Sequence, residues 1–183
     1  IYNYDQRLWG KRTMTEVLEY SINTGAVFAE QQAGHEKFLE YIKKFGILEP
    51  TRIDLSGETF STNKEFQKGY EINFATASFG QGIEMTSMQV MRAFAAIANG
   101  GKLYRPRLLA SVINTNDEVA AGHNDPQLIR EVMISQETLR HVQKGMRQTV
   151  TSGTAWRLGE VPVPVAAKTG TAPQRRVVSE VAQ

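Results

Sequence analysis

The stretch that most constrains this chain lies near its end, where an apolar, β-branched run leads into Lys168-Thr169-Gly170. If residues 163–172 form a strand, its side chains alternate between two faces. Lys168 then shares one face with Gly170, and the two threonines of the run lie on the other. A bare glycine lets a ligand approach the backbone closely. The pattern outlines an anion site, although an ordinary edge strand with an exposed lysine has the same composition.

The composition is that of a soluble globular domain. The 183 residues are 41% hydrophobic and 22% charged, and basic residues are scattered among acidic ones with a net charge of only +2. This balance gives no electrostatic reason to expect a nucleic-acid partner. The absence of cysteine excludes disulfides, thiolate metal sites and a cysteine nucleophile. The isolated histidines show no metal-ligand spacing, so we expect no metal and no cofactor.

No stretch approaches the roughly 20 apolar residues that a membrane span requires. We therefore expect this segment itself to make no membrane contact.

Capping signals predict the helices of the first part of the chain. Residues 13–16, Thr-Met-Thr-Glu, form a capping box that begins a helix ending near Tyr20. Two more helical segments are predicted over residues 25–33 and 36–45, separated at Gly34. A serine and an asparagine therefore lie at the junction between the first two helices. Taken alone they are a polar joint, in which Ser21 ends one helix and Asn23 or Thr24 caps the next.

The middle of the chain contains a polar stretch without periodicity, followed by an apolar helical stretch. Residues 47–75 lose periodicity and are rich in polar residues, which predicts a long loop at the surface or bordering a site. A second capping box at residues 86–89 then begins an apolar, alanine-rich helix that ends at residues 99–101, Asn-Gly-Gly. We expect this helix to be buried on more than one side.

The last part of the chain mixes strands with one more helix. Residues 103–113 contain Pro106, which predicts an edge strand or an extended segment. A turn-rich connection over 114–126 precedes a short predicted strand over 129–134. Ser135 then caps a helix with apolar residues at helical spacing as far as Val150.

Two motifs together resemble a known family. Ser21-Ile22-Asn23 and Lys168-Thr169-Gly170 stand in the order of the serine-x-asparagine and lysine-threonine-glycine motifs of penicillin-binding proteins and serine β-lactamases. The intervening sequence is similar to class B penicillin-binding proteins, the bacterial cell-wall transpeptidases, at residues 45–46, 51–58, 77–89, 98–101 and 170–172. The resemblance implies a single α+β domain over residues 1–183 with the penicillin-binding, serine β-lactamase-like transpeptidase fold. We expect it to be incomplete, comprising the helical subdomain and part of the antiparallel sheet.

The third motif of the family, Ser-x-x-Lys, supplies the nucleophile and precedes the serine-x-asparagine motif. The residues before Ser21 contain no match. Residues 61–64, Ser-Thr-Asn-Lys, fit the pattern but follow Ser21 and lie in the polar loop. We interpret that match as accidental, exposed and far from Lys168.

The missing nucleophile has consequences for the whole chain. We expect the chain to be most of the second half of a transpeptidase domain, truncated at both ends. By itself it is not expected to react with penicillin. The parent protein is expected to act outside the cytoplasm and to be anchored by an N-terminal membrane helix.

The resemblance implies acyl transfer on D-alanyl-D-alanine stem peptides, with β-lactams as substrate mimics and other cell-wall synthesis proteins as further candidate partners. Ser21 would relay a proton toward the leaving nitrogen. Asn23 would hold the substrate amide and the activating lysine. Lys168 would supply positive potential near Ser21 and the substrate carboxylate. We therefore expect the Ser21 hydroxyl and the Lys168 ammonium within hydrogen-bond reach, or one water apart.

The remaining matched residues would contact the substrate directly. The hydroxyls of Thr169 and Thr171 would hydrogen-bond the substrate carboxylate. The backbone amide of Thr171 would be one of two oxyanion-hole donors. Gly170 would leave the strand bare so that the acyl chain can pair along it.

Two alternatives of other classes remain open at this stage. A β-lactam hydrolase or sensor of the same fold would need a deacylating base in a loop. Four glutamates lie within residues 47–75, in no pattern that identifies one: Glu49, Glu58, Glu65 and Glu71. A non-catalytic assembly module would fit the missing nucleophile, but it would not require the intact Ser21, Asn23 and Lys168.

Overall fold

The computed structural model describes residues 1–122, 125–158 and 162–170. The α-helices are α1 (Met14–Glu19), α2 (Asn23–Ala33), α3 (His35–Lys44), α4 (Lys64–Gln67), α5 (Glu71–Ala77), α6 (Ser87–Ala98) and α7 (Gln136–Thr151). The strands are β1 (Lys102–Tyr104), β2 (Ser111–Ile113), β3 (Val119–Gly122) and β4 (Leu128–Glu131). They form two antiparallel pairs, β1 with β4 and β2 with β3. Mixed helices and antiparallel strands confirm the predicted α+β class.

The predicted helix boundaries in the first part of the chain are confirmed to within two residues. The Thr13 side chain accepts from the Glu16 amide, and the Glu16 carboxylate accepts from the Thr13 amide at 2.8 Å, which completes the predicted capping box. Gly34 separates α2 from α3 at φ 83°, a backbone conformation that glycine adopts without a steric cost. The second helix begins at Asn23, two residues earlier than the pattern indicates.

The prediction of a loop over residues 47–75 is wrong in part, because α4 lies within it and α5 begins within it. Each helix contributes a phenylalanine to the core. Phe66 is only 1% exposed, and its ring meets that of Phe74 edge-on at 5.4 Å. Helices this short derive their stability from tertiary packing, so they leave little periodicity in the sequence. The rest of the loop is tied down by Glu58, whose carboxylate accepts from the Thr51 and Arg52 amides at 2.6 and 2.7 Å.

The helix α6 begins at its predicted capping box, formed by Thr86 and Gln89. Its expected burial on more than one side is wrong for the described residues, since Met91 is 63% and Phe94 40% exposed. The buried face is largely polar. Gln89 donates to the backbone carbonyls of residues 47 and 49 at 2.9 Å each, and Arg92 donates to that of residue 46 at 2.7 Å. These bonds hold the polar residues of the buried face of α6 against the chain leaving α3.

The strand predictions are partly confirmed. The predicted segment over 103–113 divides into β1 and β2, with Pro106 between them, and β4 overlaps the predicted strand over 129–134. The connection over 114–126 contains β3, which the sequence does not indicate. Its sequence, Val-Ala-Ala-Gly, lacks an alternating pattern, and it forms because β2 pairs with it.

Two apolar clusters form the core. One joins α3 to α5 through residues Ile47, Phe66, Phe74, Ala77 and Ile83. The other joins α6 to the β1–β4 pair through Ala96, Leu103 and Val132. None of the helices in the described ranges is both long and apolar enough to cross a bilayer.

The helix α1 lies close against α7 at two glycines. A Cβ at Gly145 would lie 2.8 Å from the Cδ2 atom of Leu18, and one at Gly153 only 2.4 Å from the Glu19 backbone oxygen. Ser152 donates to the Glu19 carboxylate at 2.5 Å. The end of α1 is therefore held against the chain that leaves α7.

This close approach predicts unequal effects of two glycine substitutions on α7 and its C-terminal turn. We expect Gly153→Ala to lower the free energy of unfolding by about 1–3 kcal/mol, because the added methyl meets backbone atoms. Gly145→Ala should cost less, since it meets the movable end of a leucine and gains about 0.5–1 kcal/mol of helix preference. Urea denaturation followed by far-ultraviolet circular dichroism measures both. A larger loss for Gly145→Ala would contradict this packing.

Candidate active site

Ser21 occupies a position where helices usually place glycine. It follows α1 at φ 54°, in the left-handed region. The Ile22 amide donates to the Val17 carbonyl at 3.0 Å and the Ser21 amide to the Leu18 carbonyl at 3.4 Å, the bond pattern of a Schellman motif. Non-glycine residues pay roughly 1–3 kcal/mol for such a backbone. Glycine would form this turn without that cost, so the turn by itself does not account for a serine here.

The Ser21 hydroxyl accepts a hydrogen bond from the Lys168 ammonium at 2.6 Å. This confirms the expected contact between two motifs separated by 147 positions. Lys168 also donates to the Thr169 carbonyl at 2.8 Å. No carboxylate in the described ranges forms an ion pair with this lysine.

Burial lowers the pKa of Lys168 from its usual value, because the ammonium loses solvation as the side chain becomes half-buried. A hydrogen-bonded lysine of lowered pKa gives up its proton at a smaller cost. The pair can therefore pass a proton through the serine hydroxyl, which both donates and accepts.

The predicted strand over residues 163–172 is absent from its described part, residues 163–170. No other described strand lies beside it, and a strand exists only where a neighbour completes its hydrogen bonds. The extended segment is held on α7 instead, by a bond from the Ala167 amide to the Met146 carbonyl at 3.1 Å. Gly170 is exposed, with space around its Cα. Thr171 lies outside the described residues.

Asn23 is not brought to the Ser21–Lys168 pair by a hydrogen bond in the described chain. Its amide nitrogen donates to the backbone carbonyl of Tyr2 at 3.1 Å. The interpretation of Asn23 or Thr24 as the helix cap is wrong, because Ile22 occupies the N-cap position. The Asn3 side chain, from the N-terminal segment, accepts from the Thr24 amide at 3.1 Å and takes over the capping role.

The sequence interpretation missed residues 152–154, which follow the helix predicted as far as Val150. The Thr154 amide donates to the Glu19 carbonyl at 3.1 Å, and its hydroxyl lies 2.7 Å from that of Thr169. A run of small and hydroxyl residues directly after a helix was the available signal. These residues connect the end of α1 to the lysine-threonine-glycine segment.

A cavity of about 290 Å³ opens beside Ser21. Trp9 stacks on Tyr20 with ring centres 5.1 Å apart, and the Arg7 guanidinium lies 4.2 Å from the centre of the Trp9 ring. The lining residues are Asn3, Tyr4, Arg7, Trp9, Tyr20, Ser21, Ser152, Gly153 and Thr154. Ser21 therefore lies in the wall of this cavity.

The Ser-x-x-Lys match at residues 61–64 has a structural role. The Asn63 side chain bridges to Glu84, donating to its carbonyl at 2.9 Å and accepting from its amide at 2.6 Å. The expectation of exposure is wrong in part, since Thr62 and Lys64 are exposed, whereas Asn63 is buried and Ser61 half-buried beside an open groove of about 550 Å³. None of the described hydrogen bonds of this stretch reaches Ser21, Asn23 or Lys168.

Three of the four loop glutamates are occupied by structural contacts. Glu49 pairs with Arg130, Glu58 holds backbone amides, and Glu65 pairs with Lys68 at 2.7 Å. Glu71 lies in the first turn of α5. Within the described chain, none of the four contacts the Ser21–Lys168 pair. The same part of the chain contains no cluster of three or more residues able to hold a metal ion.

Comparison with known proteins agrees with this arrangement. The sequence matches the family model described as penicillin-binding protein transpeptidase domain over residues 1–177. The chain belongs to the penicillin-binding protein transpeptidase family. Stage V sporulation protein D of Bacillus subtilis is 32% identical over 163 residues, which are 89% of this chain and 25% of that protein. The chain spans about a quarter of the length of the curated relatives it matches.

Solved structures of other family members share the fold. The D,D-transpeptidase domain of a peptidoglycan glycosyltransferase from Eggerthella lenta superposes with a TM-score of 0.79 at 25% identity, covering 96% of this chain and 45% of that one. Penicillin-binding protein 3 of a Mycobacterium, in complex with ampicillin, gives a TM-score of 0.65 at 27% identity over 75% of this chain and 30% of that one. The penicillin-binding fold expected from the motifs is therefore confirmed.

The backbone at residue 21 predicts a difference between two variants that both lack the hydroxyl. We expect Ser21→Gly to be more stable than Ser21→Ala by about 1 kcal/mol, because only glycine adopts the left-handed region without a clash. Both lose the bond to Lys168, so that loss cancels in the comparison. Thermal or urea denaturation measures the difference. Equal stability of the two variants would show that the turn is not strained.

Proposed function

We propose that this chain forms part of the active site of a peptidoglycan D,D-transpeptidase, which transfers the acyl group of D-alanyl-D-alanine stem peptides during cell-wall cross-linking outside the cytoplasm. The observation that carries the proposal is the 2.6 Å contact between Lys168 and Ser21. A lysine that is half-buried without an ion-pair partner in the described chain is costly. A proton-transfer pair requires a lysine in contact with a hydroxyl, as Lys168 is with Ser21, whereas a non-catalytic scaffold requires neither residue.

Ser21 would protonate the leaving group. In acyl transfer the amide nitrogen must gain a proton as the carbonyl–nitrogen bond breaks. The Ser21 hydroxyl would donate that proton and be resupplied by the Lys168 ammonium, which already points at its oxygen. The lowered pKa of Lys168 reduces the cost of the second transfer.

The lysine-threonine-glycine segment would bind the substrate carboxylate. Lys168 supplies positive potential, the Thr169 hydroxyl donates a hydrogen bond, and Thr171 is proposed to add a second hydroxyl and an oxyanion-hole amide. Charge-assisted bonds of this kind are about twice as strong as neutral ones. Gly170 is exposed, and a Cβ added to it would meet no atom of the described residues within 4 Å, so this part of the segment leaves room for the acyl chain.

The nucleophile would come from a Ser-x-x-Lys segment elsewhere in the protein, since the match at residues 61–64 follows Ser21 and is held at Glu84 through Asn63. Asn23 would then orient the activating lysine and the substrate amide, exchanging its present bond to the Tyr2 carbonyl. β-Lactams would acylate the same nucleophile. The ampicillin complex of a structural neighbour supports this ligand class.

Two serine variants of the full-length protein test the role of Ser21. We expect Ser21→Ala to lower the second-order rate constant for acylation by a fluorescent penicillin roughly 100-fold, the lower end of what a general acid or base contributes. Ser61→Ala, which removes a serine of the unused pattern match, should react at the wild-type rate. Gel fluorescence against time gives both rate constants. A loss confined to Ser61→Ala would reverse the assignment.

The 183-residue chain alone is expected to form no penicillin adduct, because it contains no serine with an activating base in the family's position. Related serine enzymes without their nucleophile pair retain only about a thousandfold to ten-thousandfold over water. Intact-protein mass spectrometry after incubation measures the adduct, with the full-length protein as the positive control. A stoichiometric adduct on the short chain would show that Ser21 or Ser61 is itself nucleophilic.

A further inference from the structure

The Thr154 hydroxyl has two neighbours that compete for its one proton. It donates to the Glu19 backbone oxygen at 3.3 Å, and its oxygen lies 2.7 Å from that of Thr169. A hydroxyl has a single proton to donate and two lone pairs to accept with. The direction of the short bond between the two threonines is therefore set by where that proton points.

The Glu19 carbonyl does not depend on this hydroxyl. The Thr154 amide donates to the same oxygen at 3.1 Å, the shorter of the two bonds. If the hydroxyl turns away, the carbonyl keeps its amide partner and no buried acceptor is left unpaired. Thr154 can therefore donate a hydrogen bond to Thr169 at little cost.

Thr169 can donate to an anion only while its proton is not used in a bond to Thr154, and a donor at Thr154 also orients its hydroxyl. When Thr154 accepts, the Thr169 proton is used between the two threonines, and only lone pairs face an incoming carboxylate. When Thr154 donates, the Thr169 proton is free for the carboxylate. Hydrogen bonds in such a chain polarise and strengthen one another.

The position of Thr154 is fixed independently of any ligand. Its amide is bonded to Glu19, Gly153 lies too close to that residue to admit a side chain, and Ser152 donates to the Glu19 carboxylate at 2.5 Å. Thr154 also lines the cavity beside Ser21. These contacts therefore hold the Thr154 hydroxyl in one position beside the cavity.

We propose that Thr154 is a positioning residue of the transpeptidase site, whose hydroxyl donates to Thr169 so that Thr169 can donate to the carboxylate of the substrate. This rests on the proposed function above, in which Thr169 binds that carboxylate. Thr154 itself touches no reacting atom. Its contribution should therefore appear only with ligands that carry a carboxylate.

The test uses full-length protein and two ligands, benzylpenicillin and its methyl ester. We expect Thr154→Val to lower the acylation rate constant for benzylpenicillin about threefold to tenfold, the effect of one neutral hydrogen bond, because Thr169 loses the neighbour that orients and polarises its hydroxyl. The rate constant for the ester should be unchanged, and Thr154→Ser should restore the wild-type rate with benzylpenicillin. Thr151→Val is the matched control, because among the described residues the hydrogen bonding of that hydroxyl is confined to the Gln148 carbonyl, at 3.4 Å. Time-resolved intact-protein mass spectrometry measures every rate.

Each other outcome overturns the inference. Equal losses of the rate constant with both ligands would show a structural role only. An unchanged rate constant with benzylpenicillin would show that Thr169 binds the carboxylate without help from Thr154. If Thr154→Val fails to fold in a thermal melt, Thr154→Ala takes its place with the same expected split between ligands. A wild-type protein that does not react with benzylpenicillin would overturn the proposed function and this inference together, whereas a reactive wild type without the split overturns this inference alone.

Discussion

The contact between Glu19 and the chain leaving α7 is the interaction on which the rest of the site depends. Glu19 is only 7% exposed, its carboxylate accepts from Ser152, and its backbone oxygen accepts from the Thr154 amide. One end of this contact continues directly into Ser21. The other end leads, through the Thr154–Thr169 bond, to Lys168. Two segments far apart in sequence are thereby held at the distance of a hydrogen bond.

The electrostatics of the site follow from the lack of a described carboxylate partner for Lys168. In the described chain, Lys168 is bonded to a hydroxyl and a carbonyl and to no carboxylate. Its positive charge is therefore not neutralised locally, and burial lowers its pKa. A site of this kind attracts an anionic ligand and can also exchange a proton, because both properties come from an incompletely solvated ammonium. The left-handed backbone of Ser21 is a cost that the same chemistry explains.

The sequence-based errors share a physical cause. The helix α5, the strand β3 and the missing strand after residue 162 are all decided by what lies beside them, which local pattern does not contain. Phe66 and Phe74 stabilise the short helices α4 and α5 within an otherwise polar stretch, because their rings pack in the core. Residues 163–170 have strand composition but no described strand to pair with, so they remain extended. Gln89 and Arg92 bury the polar side of α6 because carbonyls lie there.

The sequence by itself determined the capped helices, the order of the two motifs and the family they indicate, because capping and short motifs are local and chemically specific. It also predicted that Ser21 and Lys168 meet, through the family resemblance and not through any periodicity. Only the tertiary structure decided that Ser21 sits in a strained turn, that Asn23 is bonded to Tyr2, and that residues 152–154 connect the motifs. These features depend on contacts between distant segments, and such contacts exist only once the chain has folded.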